Sequence, residues 1–269
     1  MAQNGIGFHY LRGAARLVVF AVGSWLVVAS GLSALLSRFP QRWRRTAPFN
    51  ARWARLGRRC LGIRVRAVGD LPDVGTLVVA NHHTYADVVT LGGFFPCIFA
   101  ARHDMRRWPL FGALAASGAT IFVNRDNRRQ GVRAVSQAAA ALAVGATVLA
   151  FPEGTTNDGS DMLPFRSGFF QAALEAEAPV VPAAIRYLTL DGKPISVAER
   201  NVVGWYGNEP FLGHAWRLVS RRSVEAEVRF GAPLRPPHGD RHTLARAAET
   251  KVRELGGFPQ RNAGAGGWA

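Results

Sequence analysis

The chain has 269 residues, 48% of them hydrophobic and 19% charged, and carries a formal net charge of +15. That balance excludes an intrinsically disordered chain, and the length suits one large core or one domain plus an appendage. Two cysteines, Cys60 and Cys97, with no CxxC and no paired-histidine spacing, exclude a disulfide framework and a zinc-ligand set, and no other metal ligand set is visible.

The positive charge sits at the N-terminus. Residues 1–69 hold twelve arginines, no lysine and no acidic residue, which leaves only +3 for the other 200. Such a segment suits nucleic acid or an anionic membrane. Residues 17–36, LVVFAVGSWLVVASGLSALL, favour the membrane: twenty uncharged positions make a helix of ~30 Å, the thickness of a bilayer's hydrocarbon core. The run is longer than the apolar stretch of a secretory signal, and no good small-x-small cleavage site follows it. Arg12 and Arg16 precede it, and Arg38, Arg42, Arg44 and Arg45 follow. The heavier load behind places the rest of the chain on the cytoplasmic side of an inner or cytoplasmic membrane. In residues 50–63, Trp53, Leu56, Cys60 and Ile63 recur at helical spacing among Arg52, Arg55, Arg58 and Arg59. This predicts a helix lying in the membrane interface; the alternative is a helix packed on the domain. No recognition motif accompanies the charge, so nucleic acid is not an expected partner.

From residue 63 short β-branched runs alternate with helical stretches. Strands are expected at 63–68, 76–80, 97–101, 120–124, 147–151, 180–185 and 224–230, and helices at 109–117, 128–144, 164–177 and 241–255. This alternation implies βαβ units: an α/β fold with a mostly parallel sheet flanked by helices. Residues 188–222 carry aromatics without clear periodicity and suit a cap over a cleft, and the Gly/Ala-rich 261–269 reads as a disordered tail. The expected division is a membrane-anchoring helical segment over 1–62, an α/β domain over 63–260, and the tail.

Open parallel sheets bind ligands at the carboxyl ends of their strands, and three of the most polar loops, NHHTYAD, NRDNRR and PEGTTNDG, follow expected strands. In the first, Thr84 and Asp87 fit a helix capping box, which accounts for two polar residues without any chemistry. The same geometry lets Asp87, in the first helical turn, meet an imidazole from the preceding loop. A carboxylate bonded to one ring nitrogen fixes the tautomer and leaves the other as a base. His83, four residues before Asp87, suits plain helical geometry, whereas His82 requires the loop; the residues alone do not choose.

Asn81-His82-x4-Asp87 resembles the NHx4D motif of the glycerolipid acyltransferases, the lysophosphatidic acid acyltransferase group. ATIFVNR (119–125) is similar to that family's G-x-I-F-x-x-R block, with Ala119 in place of the glycine. FPEGTT (151–156) matches its F-P-E-G-T block, and VPAAI (181–185) its V-P-x-x-I block, all in family order. The resemblance implies an α/β fold and direct acyl transfer from a thioester, acyl-CoA or acyl-acyl-carrier-protein, to a lysolipid hydroxyl, with no further cofactor. It makes His82 the base and Asp87 its orienter. It assigns Arg125 to the acceptor phosphate and Glu153, Gly154 and Thr155 to the acceptor side, and sets Arg102 and Arg166 where the family often has lysines.

The residues suit that chemistry, because no GxSxG elbow is present and both cysteines lie outside the motifs. One departure bears on the acceptor: the family commonly continues E-G-T-R, but Thr156 follows Thr155 here. The leading expectation is a 1-acyl-sn-glycerol-3-phosphate acyltransferase making phosphatidic acid in phospholipid synthesis. The runner-up is a lyso-ornithine lipid O-acyltransferase, which the TTNDGSDMLPF stretch also resembles. A non-catalytic membrane-binding protein and a thioester hydrolase are the alternatives of other classes. Expected partners are a lysolipid, an anionic phospholipid surface and an acyl carrier protein.

Overall fold

The structure, a computed structural model, describes residues 3–108, 111–124, 127–235 and 239–260. Three helices lead: α1 (Gln3–Ser30), the single turn α2 (Leu32–Leu35) and α3 (Gln41–Cys60). There follow β1 (Ile63–Val68), β2 (Leu77–Ala80), α4 (Ala86–Gly92), β3 (Ile98–Arg102), α5 (Phe111–Ser117), β4 (Ile121–Val123), α6 (Arg128–Ala143) and β5 (Val148–Ala150). The chain continues through α7 (Gly168–Glu175), β6 (Val180–Leu190), β7 (Lys193–Pro194), α8 (Arg200–Val203), α9 (Phe211–Ser220), β8 (Val224–Phe230) and α10 (Arg241–Gly256).

The strands form one sheet in the order β1-β8-β6-β2-β5-β3-β4, with β7 beside β6. All neighbours are parallel except β6 with β8 and with β7. The central strands LVVA and VLA are buried at every position, as strands covered on both faces must be. Alternate residues of β2 serve opposite layers. Leu77 and Val79 pack with Ala138 of α6, Phe170 of α7 and Leu244 of α10, whereas Val78 and Ala80 pack with Ala54 of α3 and Val89 of α4. Two helix starts follow from single residues: Asn127 accepts from the Gln130 amide and Asp240 from those of His242 and Thr243.

The N-terminal region departs from its expected form. The long apolar helix covers residues 3–30 rather than 17–36 and breaks at Gly31, where a Cβ would stand 3.1 Å from the Phe49 ring. Within it, His9–Ser30 has a mean hydropathy of 1.7 and is long enough to cross a bilayer. Helix α3 begins at Gln41, and its apolar stripe meets protein instead of lipid. Ala47, Ala51, Ala54 and Gly57 are buried, the Gly57 position lies against Val89, and the Trp53 indole donates to Ser24 of α1 at 3.1 Å. The interfacial-helix expectation for 50–63 is therefore corrected to its alternative, a helix packed on the domain. Helix α1 docks on the same body: Tyr10 stacks on Trp216, and the Arg16 guanidinium donates to the carbonyls of Val219 and Arg222, both at 3.0 Å. The expected tail, 261–269, lies outside the described residues.

Candidate active site

The site is built at the carboxyl ends of β2, β5 and β3, which are adjacent in the sheet. Past β2, Asn81 continues the pairing with β6 through its side chain, accepting from the Ile185 amide at 2.8 Å and donating to the Ile185 carbonyl at 3.0 Å. The chain then turns into α4. The capping box forms by half: the Thr84 hydroxyl lies a long 3.4 Å from the Ala86 amide, while Asp87 reaches back to accept from the amides of Thr84 (2.9 Å) and His83 (2.6 Å).

The same Asp87 oxygen, Oδ2, lies 2.9 Å from His82 Nδ1, and Oδ1 accepts from the Tyr187 hydroxyl at 2.8 Å. Since the carboxylate only accepts, Nδ1 carries the proton. His82 Nε2 has no partner among the described residues, and the ring lies parallel to Phe151 with centroids 4.2 Å apart. His83 is turned away: it is buried, its Nε2 is 3.1 Å from the Asn81 amide, and its ring abuts Phe258.

The second loop, after β5, is locked from beneath. The Glu153 carboxylate accepts from the His82 amide, the Asn157 side chain and the Leu163 amide, each at 2.7 Å. Gly154 holds φ +82°, a left-handed conformation that favours glycine. Farther on, Arg253 of α10 is almost wholly buried and donates to Asp161 and to the Met162 carbonyl, both at 2.6 Å, and to Glu249 at 3.2 Å.

Above these loops lies a cavity of about 420 Å³. His82, Phe151, Gly154, Thr155 and Thr156 line it together with Phe20 and Val27 of α1 and Phe49 and Trp53 of α3. Trp205 and Phe211, from the segment expected to cap a cleft, line it as well and pack edge-on to each other and to Tyr85. Arg102 also lines the cavity, paired with Asp104. Glu153 sits behind the wall, Arg166 is exposed and outside the lining, and Arg125 lies outside the described residues.

The family model described as Acyltransferase matches residues 62–186, which contain both loops. A lyso-ornithine lipid O-acyltransferase of Brucella abortus is 34% identical over 249 residues, covering 86% of this chain and 92% of its own. A 1-acyl-sn-glycerol-3-phosphate acyltransferase of Neisseria gonorrhoeae is 30% identical, covering 67% and 69%. The chain belongs to the acyltransferase family. The crystal structure of the 1-acyl-sn-glycerophosphate acyltransferase from Thermotoga maritima shares the fold, with a TM-score of 0.60 at 19% identity over 91% of this chain and 95% of that one.

In this acyltransferase the electrostatics sort the titratable groups. Burial works to raise the Asp87 carboxyl, but the His82 hydrogen bond, the two imidazoles and the Thr84 amide outweigh it and hold the group below the ordinary aspartate value. Burial pushes Glu153 up to about 8, against its amide donors. Burial lowers His83, which keeps that ring neutral, and raises both thiols, which disfavours a thiolate nucleophile. The arrangement thus offers one oriented imidazole, open at Nε2, beside an apolar cavity. Sequence reasoning missed Tyr187, two positions beyond the VPAAI block on the same strand face, as well as Asn157, Asp104 and Arg253. Asn157 lies within the polar PEGTTNDG loop and Asp104 two residues beyond Arg102, so both carried a local signal.

Proposed function

We propose that this acyltransferase transfers an acyl group from acyl-CoA or acyl-acyl-carrier-protein to the hydroxyl of lyso-ornithine lipid. The observation that carries the acceptor is the likeness to the Brucella abortus lyso-ornithine lipid O-acyltransferase, which runs over nearly the full length of both chains. Thr156, standing where the glycerophosphate enzymes commonly place an arginine, supports the same choice, because an N-acylated ornithine has no phosphate to hold. Acylation of 1-acyl-sn-glycerol-3-phosphate, the leading expectation from the motifs alone, is the second reading, favoured by the Neisseria gonorrhoeae relative.

His82 Nε2 takes the proton of the acceptor hydroxyl as its oxygen attacks the thioester carbonyl; the tetrahedral adduct collapses, the thiolate leaves and the new ester remains. Asp87 fixes the tautomer and stabilises the imidazolium, so no acyl-enzyme is needed. The apolar lining that Phe20, Phe49 and Trp53 give the cavity accepts acyl chain, and the enzyme works on the cytoplasmic leaflet. The test is turnover of the purified full-length chain with a panel of lysolipids, read by the mass of the product. Addition of one acyl group to lyso-ornithine lipid is expected. Acylation of 1-acyl-sn-glycerol-3-phosphate alone would overturn the assignment in favour of the second reading, and thiol release without any acceptor would indicate a hydrolase.

A further inference from the structure

Resting on the lyso-ornithine reading, we infer that the Arg102–Asp104 pair is the head-group clamp, opening so that Arg102 takes the acceptor's carboxylate and Asp104 its side-chain ammonium. Arg102 ends β3 and Asp104 lies in the 3₁₀ turn that follows, so one short stretch presents both charges. Arg102 Nη2 lies 2.7 Å from Asp104 Oδ2 and Nε lies 3.1 Å from Oδ1. Both side chains line the cavity while remaining open to solvent, at 59% and 41% exposure. A pair that wet is held only weakly, and a ligand bearing the opposite two charges can replace each partner with its own.

The charge in the cavity selects a zwitterion. Among the described residues Asp104 is the only carboxylate in the cavity lining. It opposes a phosphate dianion and attracts an ammonium, while its own arginine is already neutralised. Only β5 separates β2 from β3, so the strand ends bearing His82 and Arg102 stand two strand spacings apart, ~10 Å. In an N-(3-hydroxyacyl)ornithine six bonds join the hydroxyl oxygen to the carboxylate carbon, roughly 7 Å when extended, and nine join it to the side-chain nitrogen, roughly 11 Å, and the long Arg102 side chain spans the remaining distance. Trp108, at the end of the same turn, also lines the cavity.

The experiment measures acceptor KM for the full-length wild type, Asp104→Asn and Arg102→Gln with three acceptors: lyso-ornithine lipid, its side-chain N-acetyl derivative and its carboxyl methyl ester. Each variant should raise the KM for lyso-ornithine lipid about ten-fold, the size of a charge-assisted contact, with donor KM unchanged. Asp104→Asn should add no penalty for the N-acetyl derivative, and Arg102→Gln none for the methyl ester. An ion pair that merely closes the turn would produce no such matching between variant and acceptor. If wild type acylates lyso-ornithine lipid and Asp104→Asn leaves its KM unchanged, or if substitution and blocked acceptor cost independently, the clamp is refuted and the reaction stands. If wild type fails to acylate lyso-ornithine lipid at all, both fall together.

Discussion

His82 and His83 are neighbours in sequence with opposite surroundings, and the difference decides what each can do. His82 keeps Nε2 at the cavity with Nδ1 on Asp87; His83 spends Nε2 on Asn81 inside the protein. His82→Ala should therefore lower turnover by ~10²-fold or more, and His83→Ala by much less. Equal losses in steady-state assays would show that the assignment is wrong. Tyr187 acts through Asp87. Tyr187→Phe removes the donor to Oδ1 and lets the carboxylate rotate, so kcat should fall several-fold while both KM values hold; a change in KM alone would remove Tyr187 from the relay. Asp87 also makes a pH statement. Its folded carboxyl lies below the ordinary value, so its stabilising contribution is complete above about pH 4 and is lost as pH falls through the folded value. Melting curves should show Asp87→Asn less stable than wild type at neutral pH, with the gap narrowing below about pH 4. A gap independent of pH would refute the linkage.

The segment from Pro152 to Phe165 is the element on which the site most depends, and α10 holds it. Arg253 joins Glu249 of α10 to Asp161 and Met162, and Glu249 also accepts from the Phe165 amide at 2.9 Å. Removing one partner of a buried ion pair costs roughly 3–5 kcal/mol, so Arg253→Met should lower the denaturation midpoint markedly. A midpoint equal to wild type would mean that the loop is held elsewhere. These contacts mark where the sequence stopped being legible. The strand positions could be read because a buried parallel strand is a continuous β-branched run, and His82 with Asp87 because of the resemblance to the NHx4D motif, spacing alone leaving His83 equally open. Tyr187 and Asp87 are 100 positions apart, and Arg253 and Asp161 92 apart, so no local spacing announces them. Helix α3 departs from its expected role for another reason. An apolar stripe flanked by arginines has the same period whether lipid or protein covers it, and only the small residues Ala47, Ala51, Ala54 and Gly57 hinted at close helix packing.

Across the whole molecule, the exposed apolar face of α1 and the exposed arginines of α3 suit a membrane surface. Val18, Val22, Trp25 and Leu26 are exposed on α1, and Arg44, Arg45, Arg52 and Arg59 on α3. Because Arg16 and Tyr10 fasten α1 to α9, a helix that crossed the bilayer would have to pull the body of the enzyme with it or break those contacts. The expected arrangement has α1 lying along the cytoplasmic leaflet, its outer face in the acyl region and the cavity at the surface where lysolipid resides. Each large apolar side chain buried is worth roughly 1.5–3 kcal/mol, against about 1 kcal/mol for each arginine near an anionic surface, a contribution that salt screens. Insertion should therefore dominate. High salt should leave the wild-type chain on anionic phospholipid vesicles, whereas Val22→Glu with Leu26→Glu, two substitutions one helical turn apart on the outer face, should release it or make its binding salt-sensitive, as read by vesicle co-sedimentation. Release of the wild type by salt alone would show that α1 is not inserted and that arginines alone hold the enzyme at the membrane.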